Sequence, residues 1–315
     1  MDICIIGSGV IGTIYGHVLS GAGNDVTHLV RPGHGANLRE GVEIRLLDSR
    51  AGGGPETRAR YRPRVVGRLN AIRPCDLILA SVRHYQVPEL LPVLASEAGT
   101  SEILFFNNLW TSFEPIQAQL DERFLWGFPV AGGGFEGSIL HAALLGEVQL
   151  GDPSGRQANR VERVSGLFSG CGLRVEVQPD ILAWLWAHFA VEAGVIATAI
   201  KSGSVDQFLG SVDRIAEAVL AVRDALEVVR ARGVDIDTLP DAQMFAAPEQ
   251  MVAQGIKDLY EADRAARRIM QRHTGGEELK RIYADVVATG RELGVDMPVL
   301  EPLGSFIETY ATEAA

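Results

Sequence analysis

Three features of the sequence predict an α/β fold, with a mainly parallel sheet in the first half of the chain and an all-helical domain in the second. Short apolar runs typical of buried strands alternate with helical patterns up to residue 178. A glycine-rich turn joins the first strand to the first helix. From residue 179 onward the apolar spacing is almost entirely helical. Because 315 residues are enough for two domains, we predict one over residues 1–178 and another over residues 179–315.

The first strand and its turn carry the signature of a dinucleotide-binding Rossmann domain. The apolar strand 3–6 leads into the turn Gly7-Ser8-Gly9-Val10-Ile11-Gly12, and a helical pattern follows over residues 13–19. In this pattern the first glycine permits a tight turn, and the second lets backbone N–H groups approach a pyrophosphate. The third allows close packing of the helix on the strand. The motif predicts cofactor binding, and the alternative is a glycine turn that binds nothing.

The second predicted strand, 25–30, is followed by Arg31. An acidic residue at this position would hold the ribose 2′-hydroxyl of NAD, whereas an arginine suits the 2′-phosphate of NADP. The sequence therefore predicts NADP as the cofactor. The alternative is that Arg31 is an ordinary solvated cation of a surface loop.

Polar residues follow two later strands of the predicted sheet. Arg83 and Gln86 come after the apolar run 76–82, and an asparagine pair follows the run 103–106. Ligands of doubly wound sheets bind outside the carboxyl ends of strands, so we expect these side chains beside the cofactor. Other predicted elements are strands at 42–47, 64–68 and 174–177, strands with glycine turns after residue 126, and a surface turn at 50–55.

Composition and charge exclude several classes of protein. A net charge of -11 argues against a nucleic-acid-binding surface. The N-terminus lacks the basic region of a secretory signal, which predicts a cytoplasmic protein. The segment 181–200 has the length of a membrane span, but His188 and Glu192 near its centre would be costly in lipid, so no membrane association is expected. The three cysteines have neither disulfide nor metal-ligand spacing and are predicted to be buried thiols.

The helical half begins after Asp180, which is a suitable N-cap. In the first helix His188 and Glu192 lie one turn apart, so the carboxylate can orient the imidazole and stabilise its protonated form. Burial would lower the pKa of the same imidazole, and the sequence does not decide between the two effects. An imidazole with its ordinary pKa of about 6.5 gives and takes protons near neutral pH, which makes His188 the candidate acid–base group. The alternatives are a structural pair and a metal site lacking a third ligand.

Two long amphipathic helices are predicted at 205–232 and 278–293, each closed by a glycine, Gly233 and Gly294.

Together these motifs resemble the ketopantoate reductase family. The shared features occur in the same order: the turn GSGVIG, Arg31, S-V-R-H-Y-Q at 81–86, F-N-N at 106–108 and G-V-D-M-P at 294–298. The resemblance implies a Rossmann domain, a helical domain and NADPH-dependent reduction of a 2-oxo acid in the cleft between them. It implies that Arg31 contacts the 2′-phosphate, that Arg83 stands where the family has a lysine near the cofactor phosphates, and that Gln86 and Asn108 contact the cofactor, the latter beside the nicotinamide. A small-molecule substrate is implied, and a homodimer is allowed.

On the substrate side the chain departs from the family's pattern. His188 stands in place of the catalytic lysine, and Glu192 and Ile196 stand in place of two asparagines. The family's substrate-binding serine has no counterpart, whereas Glu278 matches its substrate-binding glutamate. The bulky pair 109–110 (Leu-Trp) replaces a small glycine. These changes make the pocket less positive and more apolar, so we predict a ketone, aldehyde or imine that is bulkier or less acidic than ketopantoate.

Two functions are compatible with these residues. The first is an NADPH-dependent oxidoreductase acting on a C=O or C=N carbon, with His188, Glu192 and Glu278 as its catalytic residues. An imine or ketone reductase, or a dehydrogenase of a biosynthetic pathway, fits the same residues, and the direction of reaction stays open. The second is a non-catalytic NADP-binding sensor, which the missing lysine favours.

Overall fold

The computed structural model describes residues 1–31, 35–71, 75–272 and 276–313. Contacts between Cα atoms divide the chain into two compact units. Unit 1 comprises Met1–Leu182 with Arg268–His273, and unit 2 comprises Ala183–Arg267 with Thr274–Ala315.

Within the described residues, unit 1 is built on one ten-stranded sheet. Its strands are β1 Asp2–Ile6, β2 Asp25–Leu29, β3 Val42–Asp48, β4 Thr57–Tyr61, β5 Arg64–Val66, β6 Leu77–Ala80, β7 Glu102–Phe106, β8 Phe124–Glu136, β9 Ile139–Gly151 and β10 Arg174–Val177. The order across the sheet is β4-β3-β9-β8-β7-β6-β1-β2-β5, with β10 also paired to β9. The stretch from β8 to β5 is parallel throughout, so the carboxyl ends of these strands meet at one edge.

Five helices accompany this sheet in the first part of the chain: α1 Val10–Gly21, α2 Ala36–Glu40, α3 Val87–Glu97, α4 Glu114–Leu120 and α5 Ala158–Gly170, counted over the described residues. The core contains the apolar faces of β1, β6 and β7 with buried residues of α1 and α5. Apolar side chains drive this packing because each buried leucine or isoleucine contributes about 1.5–3 kcal/mol. The predicted strands are confirmed, with ends that differ by up to two residues.

β4 is a strand that the sequence pattern did not predict. Its outward residues include Arg58 and Arg60, and only Tyr61 of the strand is fully buried. β4 pairs with β3 alone and lies at the end of the sheet. An edge strand with charged side chains lacks the apolar signal of a central strand.

The second half of the chain forms helices: α6 Ile181–Lys201, α7 Val205–Leu209, α8 Val212–Ala231, α9 Pro240–Gln243, α10 Glu249–Ala262, α11 Arg264–Arg272, α12 Gly276–Leu293 and α13 Gly304–Glu313. The end of α11 groups with unit 1, where Arg268 pairs with Glu56 at 2.7 Å. α6 is long and apolar enough to be a membrane span, but 67% of its apolar window is buried within the protein, as in a core helix.

The prediction of one helix over 205–232 was wrong, because the segment contains two. Ser204 and Ser211 are the N-caps of α7 and α8, and their side chains accept hydrogen bonds from the backbone N–H groups of Gln207 and Arg214. Each serine satisfies a backbone donor that a continuous helix would have bonded internally. The closing glycines are confirmed, since Gly233 and Gly294 have φ angles of +92° and +69°.

Gly194 allows α6 and α8 to approach closely. A Cβ atom at this position would lie 2.7 Å from the backbone nitrogen of Val222. Gly194→Ala should therefore lower the free energy of unfolding by about 1–3 kcal/mol, measured by urea denaturation. Gly255→Ala is the matched control: no described atom lies within 4 Å of its Cβ position in α10, so it should stabilise by about 0.5–1 kcal/mol. Equal effects of the two substitutions would contradict this account.

Candidate functional site

The three glycines of the first turn have three different surroundings. A Cβ atom on Gly7, whose φ is +128°, would lie 2.5 Å from the carbonyl oxygen of Ser81. A Cβ atom on Gly9 would meet no described atom within 4 Å, and one on Gly12 would lie 3.1 Å from the Gly7 oxygen and 3.3 Å from Ile5. The first glycine thus permits a close backbone approach, the second borders open space, and the third lets α1 pack on β1.

The open space at Gly9 adjoins the N-terminus of α1. The helix begins with Val10, and the N–H of Thr13 makes a 3.0 Å bond to the Gly9 carbonyl oxygen. The N–H groups of the preceding first-turn residues have no intrahelical acceptor, and this turn contains no acidic side chain. A pyrophosphate placed here would meet backbone donors and the positive end of the helix dipole.

Arg31 lies at the same edge of the sheet as the glycine turn. β1 and β2 are parallel with Ile6 opposite Leu29, so both strands end side by side. Arg31 follows two residues later and is exposed. A cation at this position is available to a 2′-phosphate, although residues 32–34 lie outside the described part of the chain.

Arg83 and Gln86 lie together after β6, around the short 3-10 helix His84–Gln86. The backbone N–H of Arg83 donates to Oε1 of Gln86 at 3.2 Å, and the Arg83 guanidinium donates to the Tyr85 hydroxyl at 2.7 Å. Arg83 is exposed and Gln86 half-buried. The amide oxygen of Gln86 is thus engaged in closing its own turn, which leaves its NH₂ group as the donor toward a ligand.

Two adjacent asparagines follow β7, and both are buried. Asn107 and Asn108 are 8% and 9% exposed. The Asn107 carbonyl oxygen accepts a 2.8 Å bond from the indole of Trp126, but no hydrogen-bond partner in the described part of the chain reaches Nδ2 or Oδ1 of its side chain. A buried amide without partners costs about 1–3 kcal/mol, so Asn107 is a strong candidate ligand contact. The sequence placed both asparagines beside the cofactor and the family resemblance singled out Asn108, because an unsatisfied amide cannot be seen in a sequence.

His188 lies on α6 with its ring stacked on Trp184. The ring centroids are 5.0 Å apart and the planes differ by 9°. The Trp184 indole in turn donates to Oδ2 of Asp241 at 2.9 Å. Burial lowers the pKa of His188 to about 4, so desolvation outweighs any stabilisation of imidazolium by Glu192. The imidazole is therefore neutral at neutral pH.

Glu192 and Glu278 lie on different helices of unit 2. Both are half-buried, Glu192 in α6 and Glu278 in the first turn of α12. Burial, followed by the charges of Asp263 and Glu192, raises the pKa of Tyr260, which keeps this phenol protonated. Tyr260 on α10 was not selected from the sequence, because its proximity to Glu192 depends on helix packing.

No three His, Cys, Asp or Glu side chains of the described ranges are grouped as metal ligands would be.

Comparisons with known proteins agree with this architecture. Residues 3–155 match the family model "Ketopantoate reductase PanE/ApbA". The chain is 25% identical over 264 residues to the 2-dehydropantoate 2-reductase of Pyrococcus horikoshii, covering 79% of this chain and 80% of that protein.

Two solved structures share the fold over nearly the whole chain. The 2-dehydropantoate 2-reductase of Geobacter metallireducens has a TM-score of 0.74 at 18% identity, covering 98% of this chain and 99% of that one. The ternary structure of D-mandelate dehydrogenase with NADH and anilino(oxo)acetate has a TM-score of 0.75 at 16% identity, covering 100% and 99%. The predicted fold class, a Rossmann domain followed by a helical domain, is confirmed.

The low pKa of His188 has a consequence for stability. The folded protein releases the His188 proton at a pH of about 4, whereas an unfolded histidine releases it at about 6.5. Between these values the unfolded state binds one more proton, so this residue's contribution to stability is complete above 6.5 and is lost as the pH falls toward 4. His188→Gln should remove this dependence, reducing the slope of unfolding free energy against pH by about 1.4 kcal/mol per unit. If the plots of unfolding free energy against pH were parallel for wild type and His188→Gln between pH 6.5 and 4, the lowered pKa of His188 would be contradicted.

Proposed function

We propose that this oxidoreductase, a divergent member of the ketopantoate reductase family, uses NADPH to reduce the carbon of a C=O or C=N bond in a substrate other than ketopantoate. The main support for this proposal is the glycine turn. Open space at Gly9 adjoins the N-terminus of α1, and Gly7 and Gly12 are closely packed. This arrangement fits a dinucleotide pyrophosphate.

The residues of unit 1 fit a nicotinamide cofactor in three places. The glycine turn would hold the pyrophosphate, and Arg31 the 2′-phosphate. Arg83 and the Gln86 NH₂ group would add donors near the phosphates. The buried amides of Asn107 and Asn108 would hold the nicotinamide end, since a carboxamide offers both a donor and an acceptor. When bound, the cofactor supplies the hydride.

Neutral His188 restricts the acid–base chemistry. With a pKa of about 4, its ring carries a proton on one nitrogen only at pH 7. It would therefore donate a hydrogen bond to the developing oxyanion or nitrogen anion rather than deliver a proton as imidazolium, and the proton that completes the alcohol or amine would come from solvent water. Stacking on Trp184 fixes the plane of the ring and hence the direction of this bond. Glu278 would bind substrate, and the Glu192 carboxylate would disfavour a second negative charge nearby.

The residue changes at the substrate-side positions support a bulkier or less acidic substrate than ketopantoate. D-mandelate dehydrogenase, which shares the fold, was solved with anilino(oxo)acetate, so this architecture accommodates an aromatic group in that protein. For the present chain we propose an apolar ketone, aldehyde or imine. NADPH oxidation should be screened against aryl and alkyl 2-oxo acids, neutral ketones and cyclic imines. Turnover of ketopantoate at about 10⁴ M⁻¹s⁻¹ or more would make the substrate proposal wrong.

Arg31 should determine the preference for NADPH over NADH. Arg31→Ala removes a charge-assisted bond to the 2′-phosphate, worth about 1.5–3 kcal/mol, so the Kd of NADPH should rise by about tenfold or more. The Kd of NADH should change little. Arg58→Ala, an equal loss of charge at an exposed position of β4, is the control and should alter neither constant. If Arg31→Ala raised the Kd of NADPH and the Kd of NADH by the same factor, NADP specificity would be contradicted.

The catalytic proposal and the sensor alternative are separated by variants of unit 2. His188→Ala should lower kcat by about 10²–10³-fold through loss of one hydrogen-bond donor to the developing charge. Glu278→Ala should lower kcat/KM through loss of a substrate contact, and both variants should keep the NADPH Kd unchanged. Glu277→Ala is the matched control, since this neighbour is exposed and bonded to Arg281 at 2.7 Å. A wild-type protein that binds NADPH but turns over no member of the panel would favour the sensor.

A further inference from the structure

We propose that His28 is a positioning residue for the glycine turn: it orients the peptide between Gly7 and Ser8 so that the Ser8 N–H faces the cofactor pyrophosphate. This inference rests on the proposed cofactor. His28 lies on β2 and is 0% exposed. Its Nδ1 is 2.9 Å from the Gly7 carbonyl oxygen, and its Nε2 is 2.9 Å from the Tyr61 hydroxyl.

The partners of His28 determine where its ring proton lies. A carbonyl oxygen can only accept, so Nδ1 must carry the proton that bonds to Gly7. Nε2 is then an acceptor, and the Tyr61 hydroxyl donates to it. Burial lowers the pKa of His28 to about 4, which keeps the ring neutral with one proton at physiological pH.

The bond to His28 fixes the direction of the next N–H group. In a trans peptide the C=O and the following N–H point in opposite directions. A Gly7 carbonyl directed at the buried imidazole therefore directs the Ser8 N–H away from the core. The N–H of Gly7 bonds to the Leu29 carbonyl oxygen at 3.2 Å, so β2 holds both polar groups of this glycine. Gly7 has a φ of +128° and, lacking a Cβ, would otherwise have wide conformational freedom.

The first helix leaves space for this pair of side chains. A Cβ atom on Gly16 of α1 would lie 2.4 Å from the Tyr61 hydroxyl and 2.6 Å from Nε2 of His28. Any larger residue at this position would displace one of the two groups. The glycine of α1, the tyrosine of β4 and the histidine of β2 thus form one buried arrangement behind the turn.

Two isosteric variants separate positioning from packing. The amide nitrogen of His28→Asn can replace Nδ1 as the donor to Gly7, whereas the amide of His28→Gln reaches the Nε2 position instead. We expect the NADPH Kd to stay within about twofold of wild type in His28→Asn and to rise about tenfold in His28→Gln, the equivalent of one lost hydrogen bond. kcat at saturating NADPH should be unchanged in both. Tyr283→Phe, which removes a phenol hydroxyl that donates to the Glu301 carbonyl oxygen in unit 2, is the control for stability loss without affinity loss.

If the role of His28 is purely structural, the Asn and Gln variants will bind NADPH with equal affinity, or their affinities will follow their melting temperatures. Either result would overturn the proposal. ¹⁵N NMR of the cofactor-free protein tests the geometry independently: a proton on Nδ1 of His28 is expected, and a proton on Nε2 would overturn it. If wild type binds neither NADPH nor NADH, the proposed function fails and the positioning role fails with it. If wild type binds and the Asn and Gln variants do not differ, only the positioning role fails.

Discussion

Parallel pairing of β1 with β2 and β6 is the constraint on which the candidate cofactor site depends. It places the ends of three strands that are distant in sequence at one edge. The Gly7 backbone then contacts Ser81 after β6 and bonds with Leu29 and His28 of β2. Sliding one of these strands along its neighbour would expose buried side chains, so the register of the sheet is fixed. The glycine turn, which is bonded to the strand ends, is therefore held rigidly. A glycine motif alone has no such rigidity.

Unit 2 shows how burial can reverse the interpretation of a charged pair. His188 and Glu192 share a helix face, which by itself favours imidazolium. In the structure the ring is stacked on Trp184, and desolvation lowers its pKa to about 4. The cost of burying charge in a low-dielectric interior exceeds the attraction of a half-buried carboxylate. The candidate chemistry therefore changes from proton delivery by a cation to hydrogen bonding by a neutral ring.

Sequence patterns predicted the elements whose signals are local. The central strands are apolar throughout, and the glycines that end α8 and α12 adopt the left-handed conformation expected of them. The patterns failed where local signals are ambiguous. β4 carries outward arginines on an edge strand, and Ser211 begins a new helix inside an apparently continuous amphipathic pattern.

The sequence by itself determined the fold class, the glycine turn and the set of polar residues available to a cofactor, because these depend on residue type and spacing along the chain. Tertiary structure alone decided which of those polar groups have hydrogen-bond partners within the protein. Asn107 is buried without a side-chain partner among the described residues, whereas His28, an unremarkable strand residue in the sequence, is bonded at both ring nitrogens. Desolvation and hydrogen-bond satisfaction depend on neighbours from distant parts of the chain, and these neighbours are set only when the strands and helices pack.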